Sequence, residues 1–287
     1  MDKTDIPVTV LMAVFNGEGL LNRAVDSVLS QSFREFEFII INDASTDRSR
    51  EVILSYNDPR IRLIDNPGNA GLTRSLNLGL KEARGEFIAR MDVDDICLPG
   101  RLDAQVSALK SSRADICFCN CLFVDRESGR EWRWVPKKGS LLRWRSLFEN
   151  SFGVHPAAMF RKNRIAEIGG YDSEFRYSQD YDLWSRCAEL GMTFEYAGGP
   201  FLKYFLHSGG VSRSKKSEQA GFARRVSIRS LGKLLPDKDP DALNELLKLY
   251  MRSSEERPSD MKALLPLCLD LIAAYQERIE NGNRVEV

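Results

Sequence analysis

Apolar positions in the first third of the chain switch repeatedly between strand-length runs and repeats at helical spacing. Val8 to Phe15 is a short apolar run closed by Asn16-Gly17-Glu18-Gly19, and Leu20, Leu21, Ala24, Val25, Val28 and Leu29 then recur at helical spacing as far as Gln31-Ser32. Phe36 to Ile41 is a second strand-length run, stopping at Asn42-Asp43-Ala44-Ser45-Thr46-Asp47. A helix through about Tyr56 and a third strand from Arg60 to Ile64 follow. Asn66-Pro67-Gly68-Asn69-Ala70-Gly71 is a breaker cluster; Leu72, Leu76 and Leu80 space the next helix, and Phe87 to Met91 forms a fourth strand that runs into Asp92-Val93-Asp94-Asp95. This alternation predicts an α/β fold with a doubly wound, mostly parallel central sheet and flanking helices. Ligands of such sheets sit beyond the carboxyl ends of the strands, where both polar clusters, 42–47 and 92–95, fall.

The rhythm loosens afterwards. A helix from about Pro99 to Leu109, an alternating strand from Ile116 to Val124 and a Trp-rich partner strand from Glu131 to Val135 are expected, then a strand around Ser151 to Phe160. Gly169-Gly170-Tyr171-Asp172 reads as a turn. Leu183, Trp184, Cys187, Ala188 and Leu190 space a helix that stops at Gly191, and Phe194 to Ala197 and Phe201 to Leu206 read as two short strands. From about Ser214 only helix formers and charge appear, so the chain divides into a sheet-containing domain, 1–213, and a C-terminal α-helical extension, 214–287. That extension should hold two to four helices, with Pro236, Pro240, Pro258 and Pro266 breaking or starting segments.

Composition narrows the function classes. Forty-one Lys and Arg balance 41 Asp and Glu, so no overall positive field exists to neutralise phosphates, and a nucleic-acid partner is not expected. The segment Met1-Asp2-Lys3-Thr4-Asp5-Ile6 is neither a signal nor a transit peptide, and no apolar run of about 18 residues occurs, which points to the cytoplasm. Cys97, Cys117, Cys119, Cys121, Cys187 and Cys268 include no CxxC pair, and read as reduced thiols rather than a metal cluster. One local exception to the charge balance is the stretch from Arg213 to Lys238, with eight Lys and Arg against Glu218 and Asp237 and with Phe222, Val226, Leu231, Leu234 and Leu235 interleaved. Its apolar face is expected to pack on the sheet domain or on a second subunit, giving a homodimer through the C-terminal helices. The alternative is a peripheral contact with the anionic inner face of the cell membrane.

Three polar constellations carry candidate chemistry. In Asp92-Val93-Asp94-Asp95, period-two geometry would place Asp92 and Asp94 on one side of an extended backbone, where like charges need a cation between them. A hard divalent ion suits this oxygen-only set, and a solvated acidic loop is the plainer reading. Within 42–47, Ser45 or Asp47 can cap the next helix, whereas Asp43 is free to accept the N–H of a pyrimidine base. Asp180 and Asp182, in Ser178-Gln179-Asp180-Tyr181-Asp182, are either helix caps or, for Asp180, a base that takes the proton of an attacking hydroxyl. A phosphate-cradling NTPase is excluded by the lack of a GxxxxGK[ST] loop, and a Rossmann dehydrogenase by the missing third glycine after Gly17 and Gly19.

Taken in order, these motifs resemble the family 2 glycosyltransferases of GT-A fold. The likeness is carried by Val14-Phe15-Asn16, Ser27-Val28-Leu29-Ser30-Gln31, Asn42 to Asp47, Asn69-Ala70-Gly71, Ser75-Leu76-Asn77 with Gly79, Gly85 to Asp95, His155-Pro156, Gly169 to Asp172 and Gln179 to Trp184. It spans about residues 6–213 and leaves the extension out. The resemblance implies a nucleotide-sugar donor, expected to be a UDP-sugar, held by Ala13, Val14, Phe15, Glu18, Asp43, Asn77, Asp92 and Val93. It further implies a divalent metal, Mn²⁺ or Mg²⁺, on Asp94, Asp92 and His207, with Asp180 as the general base of an inverting transfer to a glycan or lipid-linked glycan. His207 stands in Leu206-His207-Ser208-Gly209-Gly210-Val211-Ser212, similar to a late segment that touches diphosphate or metal in some members. Gln179 and Leu76 depart from the Glu and Arg frequent at those places. No Gln-x-x-Arg-Trp run follows Asp180 and no membrane helices flank the domain, which implies a non-processive enzyme of polysaccharide or cell-envelope synthesis. The alternative is a non-catalytic relative that kept the nucleotide-sugar cleft.

Overall fold

The computed structural model describes residues 6–136, 139–251, 262 and 264–283; the expectations for Met1 to Asp5 and for Pro258 lie outside them. The chain alternates β1 (Val8–Val14), α1 (Glu18–Leu29), β2 (Phe36–Asn42), α2 (Ser49–Leu54), β3 (Ile61–Asp65), α3 (Leu72–Glu82) and β4 (Phe87–Arg90). A two-residue β5 (Ile96–Cys97) precedes α4 (Arg101–Ser112), β6 (Ile116–Asp125), β7 (Glu131–Trp134) and α5 (Gly139–Arg145). Then come β8 (Ala158–Arg161), α6 (Lys162–Glu167), α7 (Gln179–Glu189) and β9 (Phe194–Leu206). The C-terminal region contains α8 (Val211–Ser214), α9 (Lys216–Leu234), α10 (Pro240–Met251) and α11 (Leu264–Asn283).

Among the described residues one sheet runs β3-β2-β1-β4-β8-β6-β9-β5, with β7 paired to β6 off this path. The β3-β2-β1-β4 half is parallel throughout, as the alternation predicts; β8, β5 and β7 pair antiparallel to their neighbours. Every residue of β2 and β4 is buried, as befits strands covered by helices on both faces. Thr9 and Glu37 are polar exceptions in this core. The Thr9 hydroxyl donates to Glu37 at 2.7 Å, and Arg62 and the Arg84 N–H complete the carboxylate. Gly85 is required here because a Cβ would lie 2.4 Å from the backbone nitrogen of Thr9.

Two expected elements differ. The strand foreseen from Ser151 to Phe160 begins only at Ala158, because His155–Ala157 forms a 3₁₀ turn around Pro156, which has no N–H for a ladder. The two short strands after Thr193 are one long strand, β9, whose register against β6 slips around Asn120 and so absorbs Gly198 and Gly199. The six cysteines are free thiols, five of them buried.

The apolar face of α9 packs against the sheet domain and α10. Val226 joins the main core, and Leu231 and Leu235 join Leu243, Leu246, Leu247, Leu264, Leu267 and Leu271 around Phe148. Polar ties fasten α9 to α7: Ser178 Oγ donates to the Gln219 carbonyl, Tyr181 Oη lies 3.0 Å from Ser227 Oγ, and Arg229 pairs with buried Asp182. Among the described residues no helix is long and apolar enough to cross a membrane.

Candidate active site

Strands β1, β2 and β4 run parallel and end at the same rim of the sheet, where the loops leaving them come together. The first two loops are latched together by side chains. Asn16 accepts from the Thr46 N–H at 2.8 Å, Asp47 from the Glu18 N–H at 3.0 Å, and Glu18 from the Arg48 N–H at 2.8 Å. Glu18 therefore closes the rim, its carboxylate already engaged by backbone. Ala13 is half-buried at the end of β1, Val14 is buried, and Phe15 projects with half of its surface in solvent. Val93 packs over Gly17, where an added Cβ would meet Val14 and Val93 at 2.8 and 3.0 Å.

Asp43 is buried just past β2. Its carboxylate accepts from Asn66 Nδ2 at 2.6 Å, from the Ala70 N–H at 2.8 Å and from the Gly71 N–H at 2.9 Å. A carboxylate offers about four lone-pair sites, so Asp43 orders the 66–71 loop and keeps one direction for a further donor. Asn77 ties α3 to the backbone at Tyr171. It gives Nδ2 to the Tyr171 carbonyl at 2.7 Å and takes the Tyr171 N–H on Oδ1 at 2.9 Å, which leaves one N–H and one lone pair of the amide for a further partner.

The strand β4 stops at Arg90, and Asp92, Asp94 and Asp95 lie in a turn rather than along an extended backbone. The turn gathers all three: one carboxylate oxygen from each lies within 4.8 Å of the others. Arg90, with none of its surface exposed, curls back to donate to Asp92 and to the Met91 carbonyl. Burial pushes the Asp92 carboxyl up against the pull of Arg90. Asp95 accepts the Phe205 N–H on Oδ1 at 3.0 Å, while its buried Oδ2 has no partner among the described residues. Burial raises its carboxyl well above the usual range, and neighbouring Asp94 and Asp92 raise it further. On the other side, β9 ends by placing His207 Nε2 at 3.0 Å from Asp94 Oδ2. Three crowded carboxylates, an orphaned buried oxygen and an imidazole form a donor set that fits a hard divalent cation. Arg126 donates to the Asp94 carbonyl at 3.2 Å, and Arg23, Arg126 and Lys203 lie over the ring of Phe205, whose N–H binds Asp95.

Asp180 occupies the first turn of α7, after Ser178 in the left-handed region (φ 55°). Partly exposed, it receives Asn150 Nδ2 on Oδ2 at 2.8 Å. Burial raises its carboxyl to about 6 against hydrogen bonds from the backbone of Tyr181 and Asp180 and from Asn150, with the charge of Asp92 contributing. Asp182, two residues on, is fully buried between Arg186 and Arg229 and is an anchor for the helix. His155 is also interior. Its Nε2 lies 2.7 Å from Tyr171 Oη, and burial, with Arg90 nearby, holds its pKa well below the usual value. Periodicity could not reveal Arg90, Arg126 or Asn150; only a buried Arg within a strand run, as at Arg90, leaves a trace in sequence, since an unpaired buried cation is costly.

Comparison with known proteins gives one consistent family. The family model described as "Glycosyl transferase family 2" matches residues 9–169. The uncharacterized glycosyltransferase MJ1057 of Methanocaldococcus jannaschii is 33% identical over 219 residues, 74% of this chain and 75% of that protein. The Escherichia coli UDP-Glc:alpha-D-GlcNAc-diphosphoundecaprenol beta-1,3-glucosyltransferase WfgD is 26% identical over 215 residues, 75% of this chain and 83% of that one. Among solved structures, S. aureus TarS 1-349 in complex with UDP-GlcNAc superposes with a TM-score of 0.64 at 18% identity, covering 93% of this chain and 79% of that one, and shares the fold.

Proposed function

The chain belongs to the family 2 glycosyl transferases, enzymes that move sugar from a nucleotide-sugar, and from that premise we propose a metal-dependent, inverting transfer from a UDP-sugar to the hydroxyl of a glycan or lipid-linked glycan. One observation carries the reading: the acidic turn 92–95 gathers with His207, and Asp180, with its elevated carboxyl, lies close enough to feel the charge of Asp92. The TarS complex with UDP-GlcNAc and the lipid-diphosphate acceptor in the name of WfgD support the choice of donor and acceptor class.

Asp94, Asp92 and His207 would hold the divalent ion, with Asp95 Oδ2 close by. The ion supplies counter-charge for the departing diphosphate. Asp43 has one acceptor direction left for a base N–H, and its own N–H donates to the Val14 carbonyl, which sets the Ala13-Val14-Phe15 segment beside it. Asp180 takes the proton from the acceptor hydroxyl as that oxygen bonds to C1, and the bond from C1 to the diphosphate oxygen breaks on the opposite face, releasing UDP. A carboxyl near pKa 6 is better matched to this task than an ordinary aspartate, since a base works best close to the operating pH.

Incubation with UDP-, GDP- and dTDP-sugars and Mn²⁺, followed by nucleoside diphosphate release and thermal shift, tests the proposal. UDP release from at least one donor is the expected result. Binding of UDP-sugars without any release, over a panel of glycan and glycolipid acceptors, would instead favour the non-catalytic alternative.

A further inference from the structure

Asn150 is an exposed side chain in the segment between α5 and the 3₁₀ turn, yet it makes a direct contact with the proposed base. We infer that Asn150 is a positioning residue for Asp180: by holding Oδ2 it orients the carboxylate toward the acceptor hydroxyl and favours the charged form. The inference rests on the reading of Asp180 as the base.

The backbone around Asn150 is unusually well fixed for a surface segment. Phe148, two residues before, is buried and stacked on Tyr250 with ring centroids 4.0 Å apart. Phe152, two residues after, is buried and stacked on Phe194 at 4.9 Å. The Tyr181 hydroxyl donates to the Ser146 carbonyl at 2.8 Å, joining the segment to the helix that bears Asp180. With both neighbours anchored, Asn150 is held toward α7 with little rotamer and backbone entropy left to lose, so a contact that water would otherwise replace persists. An amide N–H that donates to a carboxylate stabilises the ionised form. Asn150 thus opposes the burial and the Asp92 charge that push Asp180 up.

The groups facing Asp180 are few. Asp92, with Arg90 clamped to it, approaches from the turn after β4, and Tyr171 lies behind. Glu149, beside Asn150, is engaged by Arg145. The backbone N–H groups of Asp180 and Tyr181 also favour the charged carboxylate and stay in place in the variants, so removal of Asn150 takes away its one side-chain donor among the described residues.

The test is the pH dependence of kcat/KM for the acceptor, measured for the parent enzyme, Asn150→Ala, Asn150→Asp and Asp180→Asn. Loss of one hydrogen bond to the charged form should move the acid limb up by about half to one pH unit in Asn150→Ala. Asn150→Asp, which sets a second carboxylate against the first, should move it further. The plateau rate should fall about 3- to 10-fold while the donor KM stays unchanged, a pattern that a loss of folding would not produce. If Asp180→Asn is inactive and both Asn150 variants keep the parent acid limb, the positioning role is wrong. If Asp180→Asn turns over normally, the base assignment itself has failed, and this inference with it.

Discussion

Replacing Asp180 by Asn should make the protein more stable and far less active. Its carboxyl ionises at about 6 instead of the ordinary 3.8, because burial penalises the charge. Each pH unit of such displacement corresponds to about 1.36 kcal/mol, so an ionised Asp180 costs the folded state up to about 3 kcal/mol once the pH exceeds both values. Its partial exposure to solvent reduces this to about 1–2 kcal/mol. Below 3.8 the side chain is protonated in both folded and unfolded chains and the penalty is absent; it grows as the pH rises toward about 6 and is constant above. In Asp180→Asn the amide oxygen can still accept from Asn150, so the substitution removes charge while keeping that contact. At about 2–4 °C per kcal/mol for a chain of this size, Tm at pH 8 should rise by about 2–8 °C, and the gain should vanish near pH 4. Turnover should fall about 10²- to 10⁴-fold. Thermal unfolding at the two pH values and a UDP-release assay measure both effects. An unchanged or lower Tm at pH 8 would refute the desolvation argument, and normal turnover would refute the catalytic role.

Further outcomes follow from other contacts. Asp94→Ala should abolish the Mn²⁺-dependent part of the thermal shift given by UDP, and excess chelator should do the same to the parent protein; a chelator-insensitive shift would count against the metal. His207→Ala should weaken that Mn²⁺ response without loss of Tm in the ligand-free protein, because the imidazole is partly exposed, touches Asp94 and lies outside the core. Asp182→Ala leaves Arg186 and Arg229 without their shared carboxylate and should destabilise by about 3–5 kcal/mol, read from denaturant midpoints. Gly85→Ala should lower Tm sharply, since the new Cβ meets backbone of β1 rather than a side chain able to move aside.

Much of the fold is legible because its rules are local. Strand runs between helical repeats identify β1 to β4 and the helices among them, and the acidic and Asn-Asp clusters stand at strand ends as written in the chain. The turn at 92–95 shows the limit of that reading: alternation along a strand suggests a shared face for Asp92 and Asp94, whereas a bend after Arg90 brings Asp95 into the group as well. The single long β9 was hidden because Gly198 and Gly199 look like a break, and only its parallel pairing with β6 carries the strand through.

The sequence by itself determined the alternation of elements, the presence of the motif residues and their order. Tertiary structure decided which lone pairs of those residues are still available. Asp43 is already holding the 66–71 loop, Asn77 is tied to Tyr171, Glu18 to the Arg48 N–H, and Asp180 has one oxygen engaged by a residue thirty positions away. His207 reaches Asp94 across 113 positions. Periodicity records only which face of its own element a residue occupies. A carboxylate's charge and free acceptor sites depend on partners brought by distant segments, and those partners meet it only once the sheet is assembled.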